Sequence, residues 1–526
     1  MKHCRFTRAR LAAFFRSPAA HSHAAFGFSP SICTIRMVKH RKTCYHTQYR
    51  KEADNGVSPE CMKTGKYEMD LCSGSIIRKV ISFSIPLMLT GVLQLLYNAA
   101  DVIVVGQFSG KEALAAVGST SSLINLLVNV FLGLSVGTSV AVAQSYGAGD
   151  TAAVQRTVHT SVALALVSGV GIGTVGFVFA RPLLGWMGNP PDVIDSATLY
   201  IRIYFLGMPV NMLYTFGAAV LRAVGDTKRP LAFLTVAGVI NVLLNLVFVI
   251  ALRMSVAGVA LATIIAQGVS AALVIRCLMH SDGSVHFSPA DMRFHRDSLA
   301  RIIKVGLPAG LQSTMFSISN VLIQSSINTF GSVVMAGNAA AGSLEGFVYT
   351  SQNSIYQACL TFTSQNHGAK QYRRVRKVFW VCLVTVLAVG FALGGLFVLL
   401  ASQLVGIYNP NPLVIAEGVK RLSIICGTYF VCGVMEVLVG QLRGLGYSIV
   451  PAVATLVLVC VLRIVWIYTV FRISPTIETL MWSYPLSWLL AALFHAGTYL
   501  TVQRRLPRDD TPLPPDSCNA MRCARM

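Results

Sequence analysis

The chain has 526 residues, of which 54% are hydrophobic and only 12% charged, with a mean hydropathy of +0.62. So little polar surface excludes a soluble globule of this length and places the chain in a bilayer. A formal charge of +22 could suit nucleic acid, but the cations collect in alternate loops between apolar runs, which is the pattern of membrane topology and argues against a nucleic-acid partner.

The chain begins with a basic stretch over residues 1–68, holding 13 Lys or Arg against 4 acids. Its composition predicts a disordered basic tail. An alternative is that translation begins at Met69, just before the first apolar run. Leu11 to Phe15 is too short for the core of a secretory signal. Cys33, His40, Cys44, His46 and Cys61 lack the paired C-x-x-C spacing of a zinc site, so no metal is expected.

Twelve apolar stretches follow, over 82–106, 115–146, 157–181, 196–221, 230–252, 256–279, 301–329, 336–366, 378–405, 416–442, 449–471 and 479–503. Each is long enough to cross about 30 Å of hydrocarbon at about 1.5 Å per residue. Helices are the default, because unpaired backbone groups in lipid are costly and no barrel-like alternation is visible. The expected fold class is an all-α membrane protein with twelve transmembrane helices.

An internal repeat orders these spans. Leu221 to Pro230 and Leu442 to Pro451 share L-R-x-x-G-x-x-x-x-P at a separation of 221 residues. Pro86 pairs with Pro308, Asn98 with Asn320, and Gln144-x-x-Gly147-Ala148 with Gln365-x-x-Gly368-Ala369 in nearly the same register. Six spans per copy give two lobes of equal orientation, the parallel-repeat arrangement of many transporters. The expected division is a 69–279 N-lobe, a 280–300 cytoplasmic linker, a 301–503 C-lobe and a 504–526 cytoplasmic tail. The repeated motif itself reads as structural, ending one helix and starting the next.

Basic residues orient the chain. With both termini cytoplasmic, the inner loops hold Arg222, Arg443 and most other cations, and the outer loops only Lys111, Arg181, Arg253, Lys420, Arg421 and Arg472. No cysteine falls in an outer loop, which argues against structural disulfides. Pro86, Pro209, Pro308 and Pro485 lie within spans and permit bends.

Polar residues at helical spacing inside apolar spans should face water or protein. Span 1 carries Gln94, Asn98 and Asp101 on one face; span 7 carries Asn320, Gln324 and Asn328. Span 8 aligns Glu345, Tyr349, Gln352 and Tyr356. Span 4 aligns Tyr200, Tyr204 and Asn211, span 5 adds Asn241 and Asn245, and span 10 carries Tyr429 and Glu436. For the amides and hydroxyls, interhelical hydrogen bonding and substrate contact both remain open. The carboxylates Asp101, Glu345 and Glu436 suit ion coupling, because their protonation responds to water access and nearby cations. The structural alternative pairs Asp101 with Arg202 or Asn245, and Glu345 or Glu436 with Arg463.

The runs QLLYNAADVIVVGQFSG (94–110), SVAVAQSYGAGD (139–150), MPVNMLYTFGAAVLRAVGDTKRPL (208–231) and VAGVALATIIAQGVSAAL (256–273) resemble the MATE (multidrug and toxic compound extrusion) family. PAGLQSTMFSISNVLIQ (308–324) and MEVLVGQLRGLGYSIVP (435–451) look like its bacterial branch. The resemblance spans roughly residues 70–503. It implies a cell inner (plasma) membrane antiporter that exports organic, often cationic, compounds by alternating access, driven by H⁺ or Na⁺, with no other cofactor. Asp101 matches the family's acid in helix 1. Some relatives carry an acid in helix 7 as part of a cation site; this chain has none between Pro308 and Asn328, which favours H⁺ over Na⁺. The expected partners are the bilayer and small organic substrates, and the expected state is a monomer.

Two other readings compete. A flippase for lipid-linked precursors needs a cationic cavity, and the intramembrane arginines expected from the spans are only Arg202 and Arg463. A membrane-embedded enzyme lacks support, since no H-E-x-x-H, G-x-S-x-G or P-loop pattern is present.

Overall fold

The computed structural model describes residues 68–187, 191–281, 283–508 and 510. The expectations for the basic tail and its cysteines fall outside the described residues, apart from Glu68. Among the described residues every regular element is helical. The N-lobe holds α1 (Ile76–Phe108), α2 (Gly110–Gly147), α3 (Thr151–Trp186), a broken span of α4a (Pro191–Leu206) and α4b (Met208–Ala223), α5 (Lys228–Asn245) and α6 (Ser255–Met279). The C-lobe holds α7 (Arg296–Asn328), α8 (Ser332–Gly368), α9 (Tyr372–Leu399), α10 (Pro412–Gly444), α11 (Ile449–Thr455, continued by a π-helical turn and Leu462–Tyr468) and α12 (Ile477–Arg505).

Nine of the described helices are long and apolar enough to span a membrane, and ten if the bent α4a/α4b pair counts as one. The helices α7 and α8, with 33 and 37 residues, are equally long but more polar. Their polarity has a cause, because each supplies nine residues to the central cavity. The α4 span is not the single helix expected. It bends by 49° at Gly207, and Pro209 stands in the first turn of α4b, where a missing N–H costs no helical bond.

The duplicated motif builds the same turn twice. Gly225 and Gly446 adopt left-handed φ values of 92° and 91°, a conformation glycine reaches without steric cost. Each turn closes in the same way: the Asp226 N–H donates to the Leu221 carbonyl at 3.0 Å, and the Tyr447 N–H to the Leu442 carbonyl at 2.9 Å. The 280–300 segment is shorter than expected, since α7 already begins at Arg296. It is packed down on α3, with the Ser288 N–H donating to His159 Nε2 and the His295 N–H to Thr160 Oγ1.

The lobes meet at the end of the molecule that carries the basic loops. There Gln144 Nε2 donates to the Gly444 carbonyl at 2.9 Å, and its repeat mate Gln365 Nε2 donates to the Ala223 carbonyl at 2.6 Å. Small residues allow this approach. A Cβ on Gly147 would lie 1.9 Å from the Gln365 carbonyl oxygen, and one on Gly133 would lie 2.1 Å from the Gly310 nitrogen. Midway along the helices, Asn129 Nδ2 donates to Ser317 Oγ at 2.8 Å. No interlobe side-chain hydrogen bond appears beyond that level among the described residues. The hydrogen bonds that tie the lobes are therefore concentrated at the basic end, which they seal, while midway α1 and α8 touch without one, a Cβ on Gly91 lying 2.1 Å from Thr350 Cγ2.

This seal is testable. Ala223 is fully buried and contributes only its carbonyl to the contact. In a cysteine-depleted background, a cysteine at position 223 should resist a water-soluble thiol reagent. Adding Gly147→Val should expose it and raise labelling several-fold. Unchanged protection would show that the Gly147 contact does not hold the lobes together.

Candidate functional site

The two lobes enclose a cavity of about 870 Å³, lined by α1, α2, α4b, α7, α8, α10, α11 and α12. This is within the range that holds a small organic molecule, about 300–1,000 Å³. Of the residues expected at the site, Gln94, Asn320, Gln324, Glu345, Tyr349, Tyr356 and Glu436 line it.

Four arginines share this lining: Arg222, Arg421, Arg443 and Arg463. The expected placement of basic residues is corrected at three of these positions. Arg421 is not in a loop. It lies in α10, half-buried, and grips Glu345 bidentately, with Nε to Oε1 at 2.6 Å and Nη2 to Oε2 at 2.8 Å, while Nη1 donates to Asn338 Oδ1. Asn338 Nδ2 in turn donates to Gln324 Oε1 at 3.1 Å. Arg222 and Arg443, read as loop cations of a structural motif, sit in the last turns of α4b and α10 and face the cavity. The helices run past the boundaries that the arginines seemed to mark.

Arg443 donates from Nη1 to Tyr356 Oη and from Nη2 to Gln312 Oε1, both at 2.7 Å. Arg463 pairs with neither Glu345 nor Glu436. Its Nε donates to Ser487 Oγ at 3.0 Å, and its guanidinium carbon stands 4.0 Å from the Tyr484 ring centroid. Such a contact is a cation–π interaction with the ring face. Arg202, the other arginine expected inside the membrane, is exposed and lies 5.4 Å over Phe177, away from Asp101 and from the cavity. The ground for setting the flippase aside, a shortage of intramembrane arginine, is thereby removed.

Asp101 is not among the cavity residues. It belongs to a second polar cluster inside the N-lobe, between α1, α5 and α6. Asn245 Nδ2 donates to Asp101 Oδ1 at 2.5 Å, as the structural alternative foresaw, and Thr263 Oγ1 lies 3.4 Å from Asp101 Oδ2. Asn241 joins the cluster through Asn245 at 3.3 Å and Thr263 at 3.4 Å. Every partner of the carboxylate is neutral. Tyr200 and Tyr204 stack on α4a with ring centroids 6.2 Å apart.

Three other expected cavity residues fall elsewhere. Asn98 is exposed on α1 outside the cavity lining, and Asn211 accepts from Thr215 Oγ1 within α4b. Gln352 is buried where α8 meets Gly390 and Gly433, and both of its polar atoms lack a hydrogen-bond partner. The polar stripe of α8 is wider than the cavity, so its edge turns into the packing against α9 and α10. Residues the sequence did not single out include Thr263, Gln312, Arg421 and Ser487. Thr263 could have been found from its place in an otherwise apolar run, and Arg421, assigned to an outer loop, from the bounds of span 10, 416–442, which contain it. The described residues hold no grouping of three or more His, Cys, Asp or Glu suited to a metal, and none of the seven described cysteines is in a disulfide.

Two repeated six-helix lobes, sealed at one end around a polar intramembrane cavity, define a multi-pass membrane transporter. The MatE family model matches twice, over residues 86–247 and 308–469, more than half of the chain. The chain belongs to the MatE family. It is 29% identical over 395 residues to the probable multidrug resistance protein YpnP of Bacillus subtilis, covering 75% of this chain and 88% of that one. It is 23% identical over 350 residues to an FAD transporter of Shewanella oneidensis, covering 66% and 77%. Among solved structures, a MOP superfamily transporter from Pyrococcus furiosus, described as having a binding pocket of reverse polarity, shares the fold. Its TM-score is 0.79, with 22% identity over 84% of this chain and 99% of that one. A MATE structure in the bent conformation shares it with a TM-score of 0.78 and the same identity and coverage.

Proposed function

We propose that this protein is an ion-coupled antiporter of the bacterial inner membrane that exports small organic compounds by alternating access, with inward H⁺ rather than Na⁺ as the driving ion. The observation that carries this reading is the cavity between duplicated lobes, closed at one end by the matched Gln144 and Gln365 contacts. Such a seal, built from a few hydrogen bonds and glycine contacts, is reversible, and rocking of the lobes would close the opposite end instead. The basic-loop end is taken as cytoplasmic from the excess of Lys and Arg there, with both termini on that side. On that assignment the cavity opens outward. The multidrug-resistance relative in Bacillus subtilis supports export of organic compounds, and the FAD transporter supports organic cargo more broadly.

Proton coupling is assigned to Asp101. Thr263 has one hydroxyl proton, and the Val259 carbonyl at 2.9 Å is its better acceptor; Asn241 Nδ2 donates to one lone pair of its oxygen at 3.4 Å, which leaves the other to accept from a protonated Asp101. Asn245 donates to the ionised form. The cluster therefore accommodates the carboxyl in either state without rearranging the lobe, and a change of that charge biases helix α1, which carries Pro86 in its interior. The test is transport in proteoliposomes under an imposed pH gradient or an imposed sodium gradient, read with anionic and cationic fluorescent dyes. Dye movement that follows the pH gradient supports the reading. Movement that follows only sodium overturns the choice of ion, and movement without any gradient requirement overturns antiport.

A further inference from the structure

The cavity is electrically unbalanced. Of its four arginines and two glutamates, Arg421 and Glu345 neutralise one another. That leaves Arg222, Arg443 and Arg463 against Glu436 alone, and none of these four makes an ion pair among the described residues. Asp101 does not offset them, because it is outside the cavity. The hydrogen bonds of Arg443 and Arg463 go only to neutral acceptors: Tyr356, Gln312 and Ser487.

Burial makes this arrangement consequential. Arg463 is 1% exposed and Arg443 6%, yet Arg463 Nη2 and Arg443 Nε have no hydrogen-bond partner. An arginine at membrane depth with neither a carboxylate nor a full set of acceptors is costly, and such residues mark substrate paths. The planar guanidinium matches the paired oxygens of a carboxylate or phosphate. Around Arg463, Tyr484 lies at 4.0 Å and Trp488 at 5.8 Å from the guanidinium carbon, so an apolar wall adjoins the charge.

We infer that the C-lobe half of this cavity is a site for an organic anion, whose carboxylate, phosphate or sulfonate is held in the positive field of Arg443 and Arg463 while an attached ring lies against Tyr484 and Trp488. As the cargo of a transporter, this rests on the antiport reading above; as a binding site, it does not. A cation would meet a net excess of positive charge, three arginines against Glu436, and a neutral compound would leave the unpartnered arginine donors unfilled. The repeat contributes as well. Arg222 and Arg443 occupy matched positions of the duplicated motif, one on each lobe, so the sealed end of the cavity presents a positive charge from both sides.

The experiment uses the full-length protein in detergent and in proteoliposomes, with carboxyfluorescein as an anionic aromatic probe and ethidium as a cationic one. Wild-type protein should bind carboxyfluorescein saturably and in preference to ethidium. Arg443→Gln and Arg463→Gln should each weaken carboxyfluorescein by roughly tenfold to a hundredfold, the effect of losing a charged hydrogen bond. Ethidium binding should not weaken. Preference of the wild-type protein for ethidium overturns the inference, as does unchanged carboxyfluorescein affinity in either folded variant. If a glutamine variant fails to fold, the wild-type preference still decides. A fluorescent phosphatidylglycerol in the vesicles separates the two sources of anion. Its transbilayer movement, lost with Arg443→Gln, assigns the site to a lipid headgroup, whereas carboxyfluorescein accumulation without lipid movement assigns it to a soluble anion. Ethidium export with no carboxyfluorescein binding leaves antiport standing and removes the anion site. Saturable carboxyfluorescein binding that no gradient converts into transport leaves the site standing and removes antiport.

Discussion

Asp101→Asn is expected to reduce pH-driven dye transport to the background of protein-free vesicles while leaving the protein folded. The asparagine is nearly isosteric, and its carbonyl oxygen still accepts from Asn245 Nδ2, so the α1–α5 contact is weakened rather than removed. A charge-assisted hydrogen bond is worth about 1.5–3 kcal/mol and a neutral one about 0.5–1.5, so the exchange should cost about 1 kcal/mol, which thermal unfolding in detergent would register as a modest drop in midpoint. Transport should fail for a different reason: the neutral amide cannot alternate between a charged and an uncharged form. Dye binding to the central cavity should persist, because Asp101 is not part of its lining. Loss of transport together with loss of binding would instead make Asp101 a substrate contact. Retention of wild-type pH-driven transport by the variant would end the coupling proposal.

What the sequence made legible here, and what it hid, follows from the range of the interactions. The repeat register of 221 residues aligned Gln144 with Gln365 and Gly225 with Gly446, and the structure shows these pairs performing the same tasks in both lobes. Local helical spacing marked α7 and α8 as polar-faced. It could not tell which polar residues share a pocket, since that depends on how helices turn against their neighbours. Asp101 and Glu345 looked equivalent as lone intramembrane acids, yet one is surrounded by neutral donors and the other is clamped by an arginine 76 residues away in the chain. Arg222 and Arg443 were obscured by a rule that is usually informative. Arginine near the end of an apolar run suggests a loop, but here the last helical turn lies beneath the seal between the lobes and carries the charge inward.

Glu345→Ala should destabilise the C-lobe by about 3–5 kcal/mol, the cost of breaking a buried ion pair and leaving its partner uncompensated. The side chains of Arg421 and Glu345 are 11% and 10% exposed, so water offers little relief. The damage should spread along the hydrogen bonds, because Arg421 also holds Asn338, which holds Gln324 and thereby ties α10 through α8 to α7. Arg421→Ala should be equally harmful for the mirror reason. The double variant Glu345→Gln/Arg421→Gln should recover most of the lost thermal stability, since two amides can hydrogen-bond without a charge left over. This comparison separates a structural pair from a coupling acid. If the double variant is stable and still carries out pH-driven transport, Glu345 serves only to neutralise Arg421, and the coupling chemistry is left to Asp101 and Glu436. If the double variant is stable but transports nothing, while dye binding persists, opening and closing of the Arg421–Glu345 clamp is itself a step of the cycle. A single Glu345→Ala variant as stable as wild type would mean that Arg421 finds another partner, and the clamp would lose its assigned place in holding the three helices together.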